Sequence, residues 1–355
     1  MASVPDFSCL DTFNFTDKPT PRTAVPSLTV LLPCYNEQAQ LSTTFSKLTA
    51  ILGDQVEQGR ISAYEILLVD DGSSDLSWQL ISKASEIDSH IRGLRLSRNF
   101  GKEIAWVAGL RNLKTNVVVL MDCDLQHPPE CIAEMIDGWY EGYDIVEGVK
   151  SDRGKESFFS KLNANTFYGL FKHYTGFQLK DASDFKLLDQ SVYEKWSLLD
   201  EKAPFFRGQS AWLGFKRKTF TFEVQEREFG TSRWSVWNLL RLSLDAITGF
   251  SAKPLFASAF IGLFFLLLFF VIAIQTLIKF FSGTAVTGFT TVIMLELLIG
   301  GLITLSLGLV GIYIARIFDE VKKRPLFVIS ESVGEPLCDT TAKNNETQQH
   351  TTQQG

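Results

Sequence analysis

The sequence lacks the features that mark several large classes of protein. Its five cysteines are scattered and form no C-x-x-C pair, which argues against a disulfide framework and a cysteine-based zinc site. No long basic run occurs and the net charge is −6, so duplex nucleic acid is not an expected partner. Neither G-x-G-x-x-G nor G-x-x-x-x-G-K-S/T is present, so the chain carries no dinucleotide fingerprint and no P-loop.

Charge is also missing from one long stretch. Charged residues make up 21% of the chain, yet Lys279 and Glu296 are the only two between Pro254 and Ala315. Because the rest of the chain has the charge content of a globular protein, the composition indicates a soluble body with a short membrane appendage. Residues 1–26 lack a basic start followed by an apolar stretch, so we expect no cleaved signal peptide and a body that stays in the cytoplasm.

Two apolar runs in the uncharged stretch are long enough to cross a bilayer, which takes about 20 residues. They cover about 255–280 and 290–315, and an uncharged turn at 282–288 separates them. Basic residues precede the first run and follow the second, so by the positive-inside rule both flanks are cytoplasmic. The sequence therefore predicts two transmembrane helices, with a buried helical hairpin as the alternative.

Small residues recur at helical spacing in the second run, which allows another membrane helix to pack closely against it. They are Gly300, Thr304, Gly308, Gly311 and Ala315. Packing inside the hairpin is the preferred explanation of this pattern, with a dedicated oligomer interface as the alternative.

Aromatic and aliphatic residues also recur at helical spacing just before the first run, as expected of a helix lying on a membrane surface. They are Trp234, Trp237, Leu240, Leu244 and Ile247. The chain is therefore predicted to contain a disordered segment (1–26), a cytoplasmic domain (27–230), an amphipathic juxtamembrane region (231–253), two transmembrane helices (254–316), a cytoplasmic basic extension (317–338) and a disordered tail (339–355).

Short β-branched or aliphatic runs alternate with helical patterns in the cytoplasmic domain. Strands are predicted at 28–32, 65–69, 94–96 and 117–121, and helices at 38–52, 75–87, 102–113 and 130–139. This alternation predicts an α/β domain with a mainly parallel sheet and helices on both faces. In such sheets ligands bind at the carboxyl ends of the strands.

Polar and acidic clusters follow three of the predicted strands, at 33–37, 70–75 and 122–129. In the third cluster, Asp122 and Asp124 stand at alternate positions, so both side chains can reach one hard divalent cation such as Mg²⁺ or Mn²⁺. A cation there would neutralise a diphosphate leaving group. Carboxylates at strand ends are also common as helix caps, and Asp75 is a candidate cap for its helix.

The three clusters, in this order, resemble those of family-2 inverting glycosyltransferases. Longer motifs are similar to those of the polyprenyl-phosphate glycosyltransferases, the group of bactoprenol glucosyltransferase and dolichyl-phosphate mannose synthase. The motifs run over 96–103, 124–130, 181–189, 206–208, 212–215 and 227–235. The resemblance covers about residues 27–330 and implies a GT-A type, Rossmann-like nucleotide-sugar-binding fold, interfacial helices and a C-terminal two-helix transmembrane hairpin.

The resemblance also assigns roles to individual residues. It implies nucleotide-sugar binding by Pro33, Tyr35, Glu37, Asp71 and Asp122, and metal and diphosphate binding by Asp122, Asp124 and Gln126. Asp184 matches the position usually proposed as the catalytic base, but a phosphate acceptor is largely ionised at pH 7, so a role in orienting the sugar or acceptor is also open. A structural hydrogen-bond acceptor is the remaining alternative for Asp184. Cationic neighbours for the acceptor phosphate are expected from Arg207, Arg227 and Arg233, with Lys150 and Arg153 as weaker candidates.

The activity implied is transfer of a hexose, glucose first, from a UDP- or other nucleotide sugar to polyprenyl phosphate with inversion. The enzyme would be a multi-pass protein of the cell (inner) membrane with its catalytic domain at the cytoplasmic face, and family precedent favours a homo-oligomer. One alternative is a processive polysaccharide synthase, which would normally carry a Gln-x-x-Arg-Trp motif and more spans. The other is a catalytically silent, membrane-anchored scaffold.

Overall fold

A computed structural model describes residues 19–150, 183–199, 201, 204, 206–223, a series of positions between 260 and 282, and 288–337. One eight-stranded sheet organises these residues. Its strands are β1 (Ser27–Cys34), β2 (Ala63–Asp70), β3 (Ile91–Leu96), β4 (Val117–Leu120), β5 (Ile145–Lys150), β6 (Lys186–Asp189), β7 (Arg217–Phe222) and β8 (Ile329–Val333). The helices are α1 (Leu41–Glu57), α2 (Ser77–Ile87), α3 (Lys102–Leu110), α4 (Ile132–Tyr140), α5 (Gln190–Ser197), α6 (Phe206–Trp212) and α7 (Phe289–Val321).

The four strands predicted from the sequence form the centre of the sheet. They lie in the order β4-β1-β2-β3, and neighbours in this group are parallel. Both faces of these strands are covered, so their sequences are nearly continuous apolar runs, as in the fully buried Val117–Leu120. The prediction of a parallel α/β core is confirmed for this part of the sheet.

The edges of the sheet are mixed, which corrects the expectation of a mainly parallel sheet. Strand β6 runs antiparallel between β4 and β5, and β8 runs antiparallel along β3. Strand β7 is parallel to β5 at the other edge. These four strands were not predicted, because they are short and, apart from β5, lie far along the chain from the regular alternation of strands and helices.

Helices cover both faces of the sheet, and the four predicted ones are confirmed with shifts at their ends. Helices α1, α2 and α4 pack on one face, while α3 and α5 pack on the other. The second helix begins at Ser77, whose backbone N–H donates a hydrogen bond to the Asp75 carboxylate at 2.9 Å. Asp75 therefore contacts the first turn from one residue before the N-cap position, which Leu76 occupies without a side-chain capping bond.

Helix α7 contains the second apolar run of the sequence. Among the described residues, Leu298–Val321 is the one helical stretch long and apolar enough to cross a membrane, and none of it is buried. The alternative prediction, a buried helical hairpin, would shield these side chains from solvent. The exposed side chains of this helix do not agree with that alternative. The first run is described at scattered positions, which include a shorter apolar helix at Gly262–Ile272. A two-helix membrane hairpin is thus not established, and the predicted 231–253 helix lies outside the described residues.

The chain returns to the sheet after α7. Leu326 packs into the core on the α3 side, and the Ser97 N–H donates to the Val328 carbonyl at 2.9 Å. Strand β8 then pairs with β3, with Gly93 opposite Val333. The segment predicted as a basic extension therefore supplies an edge strand of the same sheet as residues 27–222.

Candidate active site

The carboxyl ends of β1, β2 and β4 meet at one edge of the sheet. Cys34, the last residue of β1, is paired with Asp70, the last residue of β2. The backbone N–H of Asp71 donates to the Cys34 carbonyl at 2.8 Å, and the Cys123 thiol donates to the Pro33 carbonyl at 3.3 Å. The three polar clusters predicted from the sequence therefore lie side by side.

The loops after β1 and β2 hold each other through side-chain contacts. Asn36, in the left-handed region with φ 57°, donates its backbone N–H to the Ser73 hydroxyl at 2.9 Å. In return, the Asn36 side-chain oxygen accepts from the Ser74 backbone N–H at 2.9 Å. Tyr35, one residue earlier, is 47% exposed. The paired loops thus present an aromatic ring on a rigid support.

Asp71 anchors the loop that leads into α3. Its carboxylate is buried and accepts hydrogen bonds from the backbone N–H groups of Phe100 at 2.7 Å and Gly101 at 2.8 Å. Burial raises the pKa of Asp71, although these two hydrogen bonds act in the opposite direction. The next residue, Gly72, has φ +70°, and a Cβ there would lie 2.6 Å from the carbonyl carbon of Arg98. The two loops are therefore in close backbone contact.

A row of alternating charges crosses the site from β4 to α6. The Lys102 Nζ lies 2.7 Å from an Asp122 carboxylate oxygen and 3.5 Å from an Asp184 oxygen. On the far side of Asp184, the Arg207 Nε and Nη2 donate to its two oxygens at 2.9 and 3.1 Å. This bidentate geometry holds both the guanidinium and the carboxylate in one orientation.

The antiparallel register of β4 and β6 explains why residues far apart in sequence meet here. Leu120 is paired with Lys186, and Asp122 and Asp184 each lie two residues beyond that pair. The two carboxylates therefore lie at facing positions just beyond the ends of these neighbouring strands, and the ammonium of Lys102 contacts both.

The charges in this row shift one another's acidity. Burial alone would raise the pKa of Asp184, but Arg207 and Lys102 together hold that pKa well below its usual range. Burial would lower the pKa of Lys102, and Asp122 and Asp184 outweigh it, so the net shift is upward. Asp184 is consequently a carboxylate at neutral pH and a weak proton acceptor.

Glu103 has the opposite character. It follows Lys102 on the first turn of α3, and it accepts a hydrogen bond from the Phe206 backbone N–H at the start of α6. Burial, together with the nearby negative charge of Asp184, raises the pKa of Glu103 to about 7. Two neighbouring carboxyl groups thus differ strongly in acidity, because Arg207 and Lys102 outweigh burial at Asp184, whereas burial outweighs the same two cations at Glu103.

The loop after β4 carries the predicted metal-binding residues. Asp124 accepts a hydrogen bond from the Gln126 backbone N–H at 3.1 Å, across Leu125, which has φ 54°. The buried His127 behind them stacks on Phe185 at 4.9 Å between ring centroids. This packing ties the loop to the chain just before β6.

The fit of these residues to a divalent cation can be judged from their donors. Within the described part of the chain, no group of three His, Cys, Asp or Glu side chains forms a complete metal cage. Mg²⁺ in nucleotide sites commonly takes only one or two carboxylates and completes its shell with phosphate oxygens and water. The oxygens of Asp122 and Asp124 fit that mode, with the difference that Lys102 already contacts Asp122.

The predicted residues divide into three groups. One group lies along this edge of the sheet and comprises Pro33, Tyr35, Glu37, Asp71, Asp122, Asp124, Gln126, Asp184 and Arg207. Lys150 lies exposed at the end of β5, whereas Arg153, Arg227 and Arg233 lie outside the described residues. Lys102 and Glu103 were not predicted; the available signal was their place in the 96–103 motif, immediately before an apolar helix.

Comparison with known proteins identifies the family of this chain. Residues 29–196 match the family model described as glycosyl transferase family 2. The uncharacterized glycosyltransferase YkcC of Bacillus subtilis is 38% identical over 311 residues, which are 86% of this chain and 94% of that protein. The SfII prophage-derived bactoprenol glucosyl transferase of Shigella flexneri is 31% identical over 310 residues, or 86% of this chain and 98% of that one.

The chain belongs to glycosyl transferase family 2 and is a glycosyltransferase. Its domain is an α/β domain of the GT-A type with a mixed sheet. Among solved structures, glucosyl-3-phosphoglycerate synthase of Mycobacterium tuberculosis is similar at 19% identity, with a TM-score of 0.41 over 63% of this chain and 78% of that one. The family assignment depends on the family model and the sequence relatives.

Proposed function

We propose that this glycosyltransferase moves a hexose, with glucose as the first expectation, from a nucleotide diphosphate sugar to a polyprenyl phosphate. The observation that carries the proposal is the row of charges formed by Asp122, Lys102, Asp184 and Arg207 at the carboxyl ends of the strands. It offers cations to two phosphate groups, one leaving and one attacking. The relatives named as bactoprenol glucosyl transferases support the choice of acceptor.

The donor would lie over the loops after β1, β2 and β4. Tyr35 presents its ring to a nucleobase, while Pro33, Glu37 and Asp71 shape the pocket beside it. Asp122, Asp124 and Gln126 would hold Mg²⁺ or Mn²⁺, which when bound neutralises charge on the departing diphosphate. Because the Lys102 ammonium contacts Asp122, a cation held by that carboxylate would compete with Lys102 for it.

The acceptor phosphate is itself the nucleophile. Its oxygen forms a bond to the anomeric carbon while the bond from that carbon to the diphosphate breaks, and the electron pair leaves with the nucleoside diphosphate. A phosphate monoester has its second pKa near 6, so the attacking oxygen needs no base at pH 7. Asp184, whose pKa is held low by Arg207 and Lys102, therefore orients Arg207 rather than removing a proton. Arg227 and Arg233 stay proposed as further phosphate ligands.

The topology supports a chain that crosses the membrane twice. Strand β7 ends at Phe222 and β8 begins at Ile329, and both belong to one sheet. If α7 crosses a bilayer, the chain must make a second crossing between those strands to return to the same side. The first apolar run, with its helix at Gly262–Ile272, is the segment available for it.

Helix α7 is also longer than one crossing needs. Its 33 residues span about 50 Å, against about 30 Å for the hydrocarbon core of a bilayer. Arg316 on the helix and Lys322, Lys323 and Arg324 just after it mark the end nearer the sheet as the cytoplasmic one. The active site would then lie at the inner membrane face, within reach of a lipid-linked phosphate. A homo-oligomer stays a prediction, to be tested by the mass of the purified protein in nanodiscs.

A transfer assay with matched variants tests the proposal. Membranes containing the enzyme, UDP-glucose labelled in the sugar, undecaprenyl phosphate and Mg²⁺ should yield label in the organic-extractable lipid. Asp122→Asn and Asp124→Asn should each abolish most transfer, whereas Asp54→Asn, an exposed change on α1, should leave it intact. Full activity in the first two variants would contradict the assignment of the cation site.

A further inference from the structure

Strand β8 is tied to β3 and α2 by side chains as well as by its backbone. The carboxylate of Glu331 accepts from the Arg95 Nη1 at 2.8 Å and from the Trp78 indole N–H at 3.0 Å. The Arg95 guanidinium also lies over the Trp78 ring, 5.8 Å from its centroid. A residue of the strand that follows the apolar helix therefore fixes where this arginine points.

The other side of Arg95 faces the loop after β2. Its Nε lies 3.3 Å from the Asp70 Oδ2, and its Nη2 donates to the Ser73 carbonyl at 3.5 Å. Asp70 is completely buried, and its other carboxylate oxygen accepts from the Ser73 backbone N–H at 3.2 Å. Arg95 thus contacts both ends of the turn that contains Asp71 and Gly72.

The two carboxylates on Arg95 differ in how much they depend on it. Glu331 is 52% exposed and can be solvated by water, whereas Asp70 is buried and needs a cation or donors nearby. Burial raises the pKa of Asp70, and Arg95 opposes that rise. An arginine pulled out of place would therefore disturb the buried Asp70 more than the exposed Glu331.

We propose that Arg95, held by Glu331, is a positioning residue for the donor nucleotide, so that the strand returning from the membrane helix sets nucleotide affinity. The inference depends on the proposed function, in which the turn after β2 shapes the nucleotide pocket. Neither residue touches the row of charges at Lys102, so the chemistry at the anomeric carbon is left to other groups.

The test is a double-variant cycle on the full-length protein in nanodiscs, with UDP and Mg²⁺ as the probe in calorimetric titrations. Glu331→Gln should weaken UDP binding about twofold to fivefold, the range of an exposed ion pair. Arg95→Met should weaken it about tenfold or more, because a buried carboxylate loses its partner. Arg95→Lys keeps the positive charge but loses the planar guanidinium group, so its UDP affinity should lie between those of the wild type and Arg95→Met.

Two readouts separate a positioning role of Arg95 from general damage to the fold: the coupling between the two substitutions, and the restriction of their effect to nucleotide binding. The Glu331→Gln change should add little in the Arg95→Met background, and the KM for undecaprenyl phosphate should change less than twofold in every variant. Glu335→Gln, an exposed change just after β8, is the matched control and should bind UDP like the wild type.

Two results would overturn this inference and leave the proposed function standing. One is that the effects of Glu331→Gln and Arg95→Met on UDP affinity are fully additive. The other is that both Glu331→Gln and a folded Arg95→Met bind UDP with wild-type affinity. If Arg95→Met fails to fold, wild-type affinity in Glu331→Gln is by itself enough to overturn it. A wild-type protein that binds no nucleotide would instead overturn the proposed function, and this inference with it.

Discussion

Replacing Lys102 with methionine removes the ammonium that two site carboxylates share. The Nζ lies 2.7 Å from Asp122 and 3.5 Å from Asp184, and the side chain is 39% exposed. A hydrogen bond between charged groups contributes about 1.5–3 kcal/mol when it is shielded from water. Solvent screening at this exposure lowers the expected value to about 1.4 kcal/mol, a factor of about ten in a binding constant.

This perturbation should raise the affinity for a divalent cation and lower the rate of transfer. An ammonium and a metal ion compete for Asp122, so Mn²⁺ should bind the nucleotide-free Lys102→Met protein about tenfold more tightly. Transfer should fall, because the phosphates lose one cationic neighbour. Electron paramagnetic resonance titration of free Mn²⁺ with the full-length protein measures the first effect without depending on activity.

Lys47→Met is the matched control, because Lys47 is exposed on α1. It should change neither Mn²⁺ affinity nor transfer. If Lys102→Met binds Mn²⁺ as weakly as the wild type, or more weakly, then the cation does not bind at the carboxylate that Lys102 contacts.

Three further predictions follow from the described contacts. The pKa of Glu103 is about 7 against a reference of 4.5, so the free energy of unfolding should fall by at most about 3 kcal/mol as the pH rises from 4.5 to 7. The Tm of Glu103→Gln should therefore exceed that of the wild type by more at pH 8 than at pH 5, and the same Tm difference at both pH values would refute this. Gly72→Ala should cost at least about 2 kcal/mol in a denaturant titration, since φ is +70° and the new Cβ would meet the Arg98 backbone. Arg207→Lys should lower transfer at least about tenfold with little loss of Tm, because an ammonium cannot make the bidentate contact with Asp184.

The centre of the fold was predictable because its residues are uniform in character. Strands such as Val117–Leu120 are buried on both faces, so their apolar runs stand out between polar loops. Strand β6 was missed because its first residue is a lysine. Lys186 is completely buried, and its charge is balanced 3.0 Å away by Glu147, the residue opposite it on β5. Such a compensated pair is visible only when both strands are in place.

The site was likewise predictable in part: its position in the fold followed from the sequence, and its contacts did not. Asp122 and Asp124 could be placed at a strand end from the sequence, because a strand and a helix flank them. The contact of Asp122 with Lys102 depends on how α3 packs on the sheet, and the approach of Asp184 depends on antiparallel pairing across β4 and β6. Neither is a local property of the chain, so the row of charges emerged only in three dimensions.

The most direct test of the central claim is the identity of the product. Purified full-length enzyme should be incubated with UDP-glucose, undecaprenyl phosphate and Mg²⁺, and the lipid fraction analysed by mass spectrometry. We predict undecaprenyl phosphate carrying one added hexose, in amounts that follow the release of UDP. A ladder of longer glycans would indicate a processive synthase, and release of UDP without any lipid-linked sugar would contradict the proposed acceptor.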